Sequence, residues 1–234
     1  MLFALISPGT VTAGGAWLHA PDGFLSVGVA AVMWAVSLVV LGIAVARTNR
    51  TLDERMIPLM GVSAAFVFAA QMFNFQVIGG TSGHLLGGVF AAVLLGPWPA
   101  TLVMACVVAV QGLVFQDGGL VVMGANIFNM GVIGTLGGYA IYKAIATALG
   151  GEKRGRLPAA GIAAWCSVVL AAVAISLELA ISGTTPLAVT LPTMVGVHVL
   201  IGIGEAVITV AALAFIGATR KDLFALKDSR PVTA

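Results

Sequence analysis

Long runs of apolar residues with few or no charges occupy most of this 234-residue chain. Most of these runs reach the roughly 20 residues that a helix needs to cross the hydrocarbon core of a bilayer. Only 9% of the residues are charged and 60% are hydrophobic, whereas a soluble domain carries about 25% charged residues. Such a chain cannot cover its surface with polar groups. The sequence therefore predicts an all-α integral membrane protein solvated by the lipid bilayer, and nothing in it indicates a nucleic-acid partner.

Seven apolar runs predict about seven transmembrane helices. The runs cover about 26–46, 56–75, 84–95, 100–115, 123–145, 157–181 and 192–218. The third run begins at His84 and stops before Pro97 and Pro99, since proline disfavours a continuing helix. Because it is shorter than a full span, we expect it to form a half-helix or a tilted, buried helix.

The basic residues all fall on one side of a seven-helix arrangement. They are Arg47, Arg50, Arg55, Lys143, Lys153, Arg154, Arg156, Arg220, Lys221, Lys227 and Arg230. Loops rich in Lys and Arg face the cytoplasm, so this side and the C-terminus are expected to be cytoplasmic. We therefore expect a multi-pass protein of the bacterial inner membrane whose other side faces outward.

The three histidines of the chain, His19, His84 and His198, fall on the side without cations. His84 lies in the glycine-rich stretch 79–88 and is expected to open the third helix, after glycines that permit close approach of another element. His198 lies within a membrane helix, where ionisable groups are costly and usually functional. If the three converge, they form an outward-facing metal site. Taken singly, each also fits a capping or hydrogen-bonding role.

Four further polar residues are candidates to support such a site. Glu205 lies seven residues after His198 on the same helix face, and Glu178 lies near the outer end of the sixth run. Either could orient a histidine through its second ring nitrogen. Asn126 and Asn129 are three residues apart on one face of the fifth run, where they could hold a loop or a histidine. Hydrogen bonding within the fold and helix capping are the alternatives.

His19 gains its strongest chemistry if the mature polypeptide begins at Leu18. A histidine at the second position offers the α-amine of the first residue, its own amide nitrogen and its imidazole. These three nitrogens form fused chelate rings in one plane. With His84 as a fourth nitrogen the site would be tetragonal, a geometry that suits Ni²⁺ or Cu²⁺ and also low-spin Co²⁺.

Nothing in the chain predicts catalysis or a bound organic cofactor. It contains no GxxxxGK[ST] phosphate loop, no HExxH and no Gly-x-Ser-x-Gly elbow. Cys106 and Cys166 lie in apolar runs without a metal-ligating or redox spacing. The alternative function is an autonomous secondary transporter or channel for a divalent transition-metal cation, which predicts inverted internal repeats that are not evident here.

Five motifs, in this order, resemble the substrate-capture subunits of cobalt and nickel energy-coupling-factor transporters, the CbiM/NikM type. They are HAPDGFL, AAQMFNF followed by GGTSGHLLGG, LLGPWPA, DGGL followed by GANIFNMGVIG, and HVLIGIGEAVIT. The match spans about 18–210. It implies a seven-helix bundle like that of other substrate-binding components (S-components), with an N-terminal segment folded into the outer site.

The resemblance also implies ligands, substrate and partners. The metal ligands would be the amine of Leu18, His19 and His84, supported by Ser82, Asn126, Asn129, His198 and Glu205. The transported substrate would be Co²⁺ or Ni²⁺, for use in cobalamin biosynthesis. Uptake would need a transmembrane coupling subunit, two ATP-binding-cassette (ABC) ATPases and often a small accessory membrane protein. The small residues Gly61, Ala65 and Ala69 form our candidate face for these partners, and packing within the protein is the alternative.

One departure from the family pattern lies at the N-terminus, where seventeen residues precede Leu18. Leu18 would be the true start if its codon initiates translation. A signal-peptidase cut nearby, or a retained extension with an altered site, are the alternatives. We accordingly divide the chain into an extension (1–17), a transmembrane metal-capture domain (18–219) and a cytoplasmic polar tail (220–234).

Overall fold

The computed structural model describes residues 19–72, 74–77 and 81–226. The predictions made for the extension 1–17 and for the amine of Leu18 lie outside the described residues, as does most of the predicted polar tail.

The described chain is mostly helical, with one short β-hairpin. Its elements are α1 (Val27–Asn49), α2 (Met56–Gln71), β1 (Asn74–Val77), β2 (Thr81–His84), α3 (Gly88–Leu95), α4 (Pro97–Val114), α5 (Met123–Ile127), a π-helical segment (Phe128–Gly137), α6 (Gly138–Ala148), α7 (Glu152–Ile181), α8 (Leu187–Thr219) and α9 (Asp222–Leu226).

The predicted membrane bundle of seven apolar helices is confirmed. Four helices, α1, α4, α7 and α8, are long and apolar enough to cross a membrane. The fifth predicted helix is built from α5, the π-helical segment and α6, which have 5, 10 and 11 residues and follow one another without a break. The remaining two, α2 and α3, are shorter, with 16 and 8 residues.

The short helix α3 forms the centre of the bundle. Every one of its residues is buried, and it packs against α2, α4, α6 and α7. The outer helices show the opposite pattern, since α1 exposes large aliphatic side chains such as Val27, Leu38 and Val39. Exposed aliphatic side chains on a helix around a buried core are suited to lipid rather than to water. The expectation of a short, buried third helix is therefore confirmed.

Successive long helices run in opposite directions, so the connections between them lie at two ends of the bundle. These two ends differ in their chemistry. At one end, Thr184 after α7 contacts the Phe24 carbonyl before α1, and Gln71 at the end of α2 reaches Leu86. At the other end, the turn between α6 and α7 is closed by Lys143 and Glu152. The nine described Lys and Arg residues, from Arg47 to Lys221, belong to this second end, as the charge distribution predicts.

The structure corrects the position of His84. We expected this residue to open the third helix, but it is the last residue of β2, opposite Asn74 of β1 in an antiparallel pair. The helix begins four residues later, after Gly87 in the left-handed conformation (φ 77°). The physical reason is the density of glycine around the histidine, since each glycine costs a helix about 1 kcal/mol relative to alanine.

Candidate metal site

His19 and His84 meet at the end of the bundle away from the basic residues. Their ring centroids are 4.9 Å apart with an interplanar angle of 79°. Both side chains are buried, with 6% and 8% of their surfaces exposed. Two imidazoles from distant parts of the chain are thus held edge to face in one small volume.

The segment that carries His19 is clamped by a loop and a helix from the middle of the chain. The Asn126 side chain makes two hydrogen bonds to the backbone of Ala20, accepting from its N–H and donating to its carbonyl, each at 3.2 Å. The N–H of Gly119 also donates to the Ala20 carbonyl at 2.9 Å. The residue that follows His19 therefore has its peptide groups fixed in place.

Asp22 adds a second anchor that we did not predict. Its carboxylate accepts hydrogen bonds from the backbone N–H groups of Leu120, Val121 and Val122, at 3.1, 2.8 and 3.3 Å. These groups lead into α5, which has no side-chain cap of its own. Asp22 thus holds the turn that precedes a helix distant from it in sequence. The only sequence signal was its position three residues after His19.

Gly118 allows the loop between α4 and α5 to lie directly against His19. Its backbone φ of 100° is one that residues with a side chain rarely adopt. In addition, a Cβ at this position would lie 2.8 Å from the Cβ of His19 and 3.2 Å from Nδ2 of Asn126. Glycine is therefore required at this position both by the backbone and by the space.

The His84 ring is oriented by the backbone of the next residue, Leu85. Its Nδ1 lies 2.8 Å from the carbonyl oxygen of Leu85. A carbonyl only accepts, so Nδ1 carries the proton and Nε2 carries the lone pair of the neutral ring. The backbone just beyond is held by Glu205 of α8, whose carboxylate accepts from the N–H groups of Leu86 and Gly87 at 2.9 and 2.7 Å. Glu205 therefore supports the loop that presents His84.

His198 supports the same hairpin from behind. Its Nδ1 donates to the carbonyl of Met194 at 2.7 Å. The ring packs on Gly83, where an added Cβ would lie 3.4 Å from Nε2 of His198 and 2.3 Å from Cδ1 of Ile201. One face of α8 thus contacts both β2 and the loop that follows it.

Asn126 and Asn129 do not converge on one partner. Asn126 contacts Ala20, whereas Nδ2 of Asn129 donates to the Glu178 carboxylate at 3.0 Å. The π-helical segment begins between them, at Phe128. Its wider winding turns Asn129 away from the face expected of an α-helix. Of the two, Asn126 lies beside His19, and Asn129 pairs with α7.

Two glutamines complete the surroundings of the histidines and were missed in the sequence. The Nε2 of His19 lies 2.7 Å from Oε1 of Gln111. The Gln111 amide group donates to Oε1 of Gln71 at 3.0 Å, and the Gln71 amide group donates to the carbonyl of Leu86 at 2.7 Å. Each glutamine is the one amide side chain of its apolar helix, which is the signal that could have identified it.

The electrostatics of the site favour neutral imidazoles. Burial lowers the pKa of His19 to about 4, against a smaller opposing effect of its hydrogen bond to Gln111. Burial, and next the neighbouring His19, lower the pKa of His84 to about 3, while the hydrogen bond to the Leu85 carbonyl and, less strongly, Asp117 act in the opposite direction. Both rings are therefore neutral at pH 7 and carry a lone pair. Among the described residues this end has acidic but no basic side chains, which suits a divalent cation.

The arrangement offers nitrogen donors in an enclosed site. Imidazole nitrogen suits Ni²⁺, Cu²⁺, Zn²⁺ and iron rather than Mg²⁺ or Ca²⁺. Of the residues predicted to act here, His19 and His84 come together, whereas His198 and Glu205 contact the hairpin and the loop after it. Asn126 contacts Ala20, and Ser82 lies in β2 two residues before His84. Among the described residues, no group of three or more His, Cys, Asp or Glu side chains is close enough to hold a metal ion.

Comparisons with known proteins agree with this architecture. A relative from Archaeoglobus fulgidus, whose name describes a fused nickel transport protein, NikMN, is 40% identical over 212 residues, covering 90% of this chain and 69% of the relative. The cobalt transport protein CbiM of Sorangium cellulosum is 32% identical over 216 residues, covering 88% and 94%. A crystal structure of a truncated transition metal transporter matches with a TM-score of 0.80 at 33% identity, covering 86% and 98%.

Residues 19–223 match the family described as the cobalt uptake substrate-specific transmembrane region, CbiM. This match includes both histidines of the candidate site, the segment around Asp22 and the loop held by Glu205. The chain is a multi-pass membrane protein that belongs to the CbiM family of cobalt uptake substrate-specific transmembrane regions.

Proposed function

We propose that this protein captures Co²⁺ or Ni²⁺ at the site of His19 and His84 and delivers it to an ATP-driven importer. The observation that carries the proposal is the meeting of these two buried, neutral imidazoles, with ring centroids 4.9 Å apart. The family match and the relatives named for nickel and cobalt transport support the choice of substrate.

The proposed coordination uses four nitrogen atoms. His84 supplies Nε2, because its Nδ1 is engaged by the Leu85 carbonyl. His19 supplies its imidazole and its deprotonated amide nitrogen, and the free amine of residue 18 closes the second chelate ring. Such a tetragonal set of nitrogens suits Ni²⁺. A chain whose amine is not at residue 18 would lose one of these ligands.

The protein would act as a transport subunit rather than as an enzyme. In this proposal the metal site faces outward and the basic end with the C-terminus faces the cytoplasm, following the positive-inside rule. A transmembrane coupling subunit and two ABC ATPase subunits would supply the energy, with a small accessory membrane protein in some systems. The imported metal would serve cobalamin biosynthesis.

The test combines metal binding with uptake. Intact-mass measurement of the purified protein first establishes the N-terminus, and a mature chain that begins at Met1 would contradict the N-terminal chelate. Binding of Co²⁺ and Ni²⁺ is then measured by calorimetry, alone and in competition. Radioactive cobalt or nickel uptake by cells with and without the partner subunits separates a capture subunit from an autonomous transporter, since the latter would transport metal alone.

The small-residue face of α2 provides a prediction about the partners. Gly61, Ala65 and Ala69 are all exposed, and a Cβ at Gly61 would meet nothing within 4 Å. Helices approach closely over such residues. We expect Ala65→Leu to impair co-purification with the coupling subunit and to lower uptake severalfold while leaving Ni²⁺ affinity unchanged. Ala211→Leu on α8, also at an exposed position, is the control, and normal assembly of the Ala65 variant would reject this face.

A further inference from the structure

We infer that Gln71 and Gln111 act as positioning residues that fix the tautomer of His19 and join it to the loop that carries His84. The inference deepens the proposed metal capture and rests on it for its functional consequence. Its structural part, the tautomer of His19, is independent of any metal.

Three hydrogen bonds connect Leu86, Gln71, Gln111 and His19 in this order. The backbone carbonyl of Leu86 determines which atom is the donor in each of them. The Leu86 carbonyl oxygen can only accept, so the atom of Gln71 that lies 2.7 Å from it must be the amide nitrogen. The other atom of that amide, Oε1, is therefore left to accept a hydrogen bond. Both glutamine side chains are fully buried, with 0% and 1% of their surfaces exposed, so water does not compete for these groups.

The assignment of donor and acceptor atoms at Gln71 also determines the assignment at Gln111 and at His19. Because Oε1 of Gln71 accepts, the neighbouring group of Gln111, at 3.0 Å, must be its amide nitrogen. The Oε1 of Gln111 then faces Nε2 of His19 at 2.7 Å and also accepts. His19 must consequently carry its proton on Nε2, which leaves the lone pair of the neutral ring on Nδ1.

Only this tautomer suits the proposed chelate. A metal bound to the amide nitrogen of His19 closes a six-membered ring through Cα, Cβ, Cγ and Nδ1. The Nε2 atom lies on the far side of the imidazole and cannot close that ring. The two glutamines thus present the required nitrogen before the metal arrives, in the manner of outer groups that orient metal-binding histidines elsewhere.

The same chain of hydrogen bonds connects the two histidine segments. It starts at Leu86, two residues after His84, and ends on His19. The Leu86 peptide is also held by Glu205 through its N–H. A displacement of the loop at Leu86 is therefore transmitted to the ring of His19 through two rigid, planar amides.

The tautomer of each histidine ring can be measured directly by NMR spectroscopy of the metal-free protein. With ¹⁵N-labelled histidine, two-bond ¹H–¹⁵N correlation spectra in detergent micelles distinguish Nε2–H from Nδ1–H rings. We expect His19 as the Nε2–H form and both His84 and His198 as the Nδ1–H form, because the latter two donate through Nδ1 to carbonyls. Removal of one histidine at a time assigns the signals. A His19 ring protonated on Nδ1 would overturn the inference.

Substitutions test whether the glutamines cause this preference. In Gln111→Met the ring should lose its single tautomer and show a mixture, and Ni²⁺ affinity should fall about 10- to 100-fold, the usual effect of removing a group that orients a metal ligand. Gln111→Glu is the conservative control, because a neutral carboxyl group can accept from His19 and donate to Gln71. It should preserve the tautomer and the absorption band of the planar Ni²⁺ complex.

The outcomes separate this inference from the proposed function. If the wild-type protein binds no Ni²⁺ but shows the expected tautomers, metal capture fails and the positioning of His19 stands. If the wild-type protein binds Ni²⁺ and Gln111→Met binds it equally well with an unchanged tautomer, the positioning role is wrong. Should Gln111→Met not fold, Gln71→Met replaces it. This variant removes the hydrogen bond to the Leu86 carbonyl that sets the direction, so His19 should again show a mixture of tautomers, and a single unchanged tautomer would contradict the positioning role.

Discussion

Replacement of His84 by alanine is expected to abolish capture of Co²⁺ and Ni²⁺ by the purified protein. The substitution removes the one proposed ligand that lies outside the N-terminal segment, and the three remaining nitrogens cannot complete a tetragonal site. We expect the affinity to fall by more than about 100-fold, because even residues that only orient a ligand usually contribute 10- to 100-fold. We expect the variant to fold, because His84 lies at the end of the β-hairpin and outside the hydrophobic core around α3.

Calorimetric titration with Ni²⁺, together with a thermal unfolding curve, measures both expectations. His198→Gln is the matched control, because it removes an imidazole beside β2 while keeping a group that can donate to the Met194 carbonyl. We expect this control to bind metal nearly as well as the wild type. Tight binding by His84→Ala, or loss of binding only in the His198 variant, would place the site elsewhere.

Replacement of Glu205 by alanine should have the second largest effect. The substitution leaves the N–H groups of Leu86 and Gly87 without their partner in a buried region, where only 2% of the Glu205 surface is exposed. An unpaired buried donor costs about 1–3 kcal/mol. We therefore expect a clearly lower unfolding temperature and Ni²⁺ affinity reduced at least about tenfold, because the loop that presents His84 loses its support.

Glu178→Gln provides the comparison for this variant. Glu178 is also a buried carboxylate in a membrane helix, but it pairs with Asn129 rather than with the histidine loop. We expect Glu178→Gln to affect metal affinity far less than Glu205→Ala. If Glu205→Ala binds Ni²⁺ with wild-type affinity and unfolds at the wild-type temperature, the assigned role of Glu205 is wrong.

The parts of the fold that were predictable depend on composition over long stretches. Apolar runs and the placement of Lys and Arg were sufficient for the helices and for the separation of the two ends, because the bilayer imposes the same constraint on every residue of a span. The resemblance to cobalt and nickel transport subunits, carried by five motifs, is confirmed by the family match. The ligand set itself stays a prediction.

The parts that were not predictable depend on contacts between distant residues. The glycines around His84 were compatible with a helix entry as well as with the strand that forms, and only its pairing with Asn74 decides between them. The π-helical segment gives no periodic signal, so the separation of Asn126 from Asn129 could not be seen. The roles of Gln71 and Gln111 arise only when α2, α4 and the histidine loop come together.

The contact between Asp22 and the residues just before α5 determines when the His19 segment can dock during synthesis of the chain. Asp22 and its three backbone partners are separated by 98, 99 and 100 residues. At about 5–20 residues per second, the ribosome delivers these partners several seconds after the His19 segment has been made. The segment therefore cannot dock there before α1 to α4 and the loop that follows α4 have been synthesised. In the proposed function, the metal site would therefore be completed only after about half of the chain has been made, and shorter nascent chains would not sequester the ion.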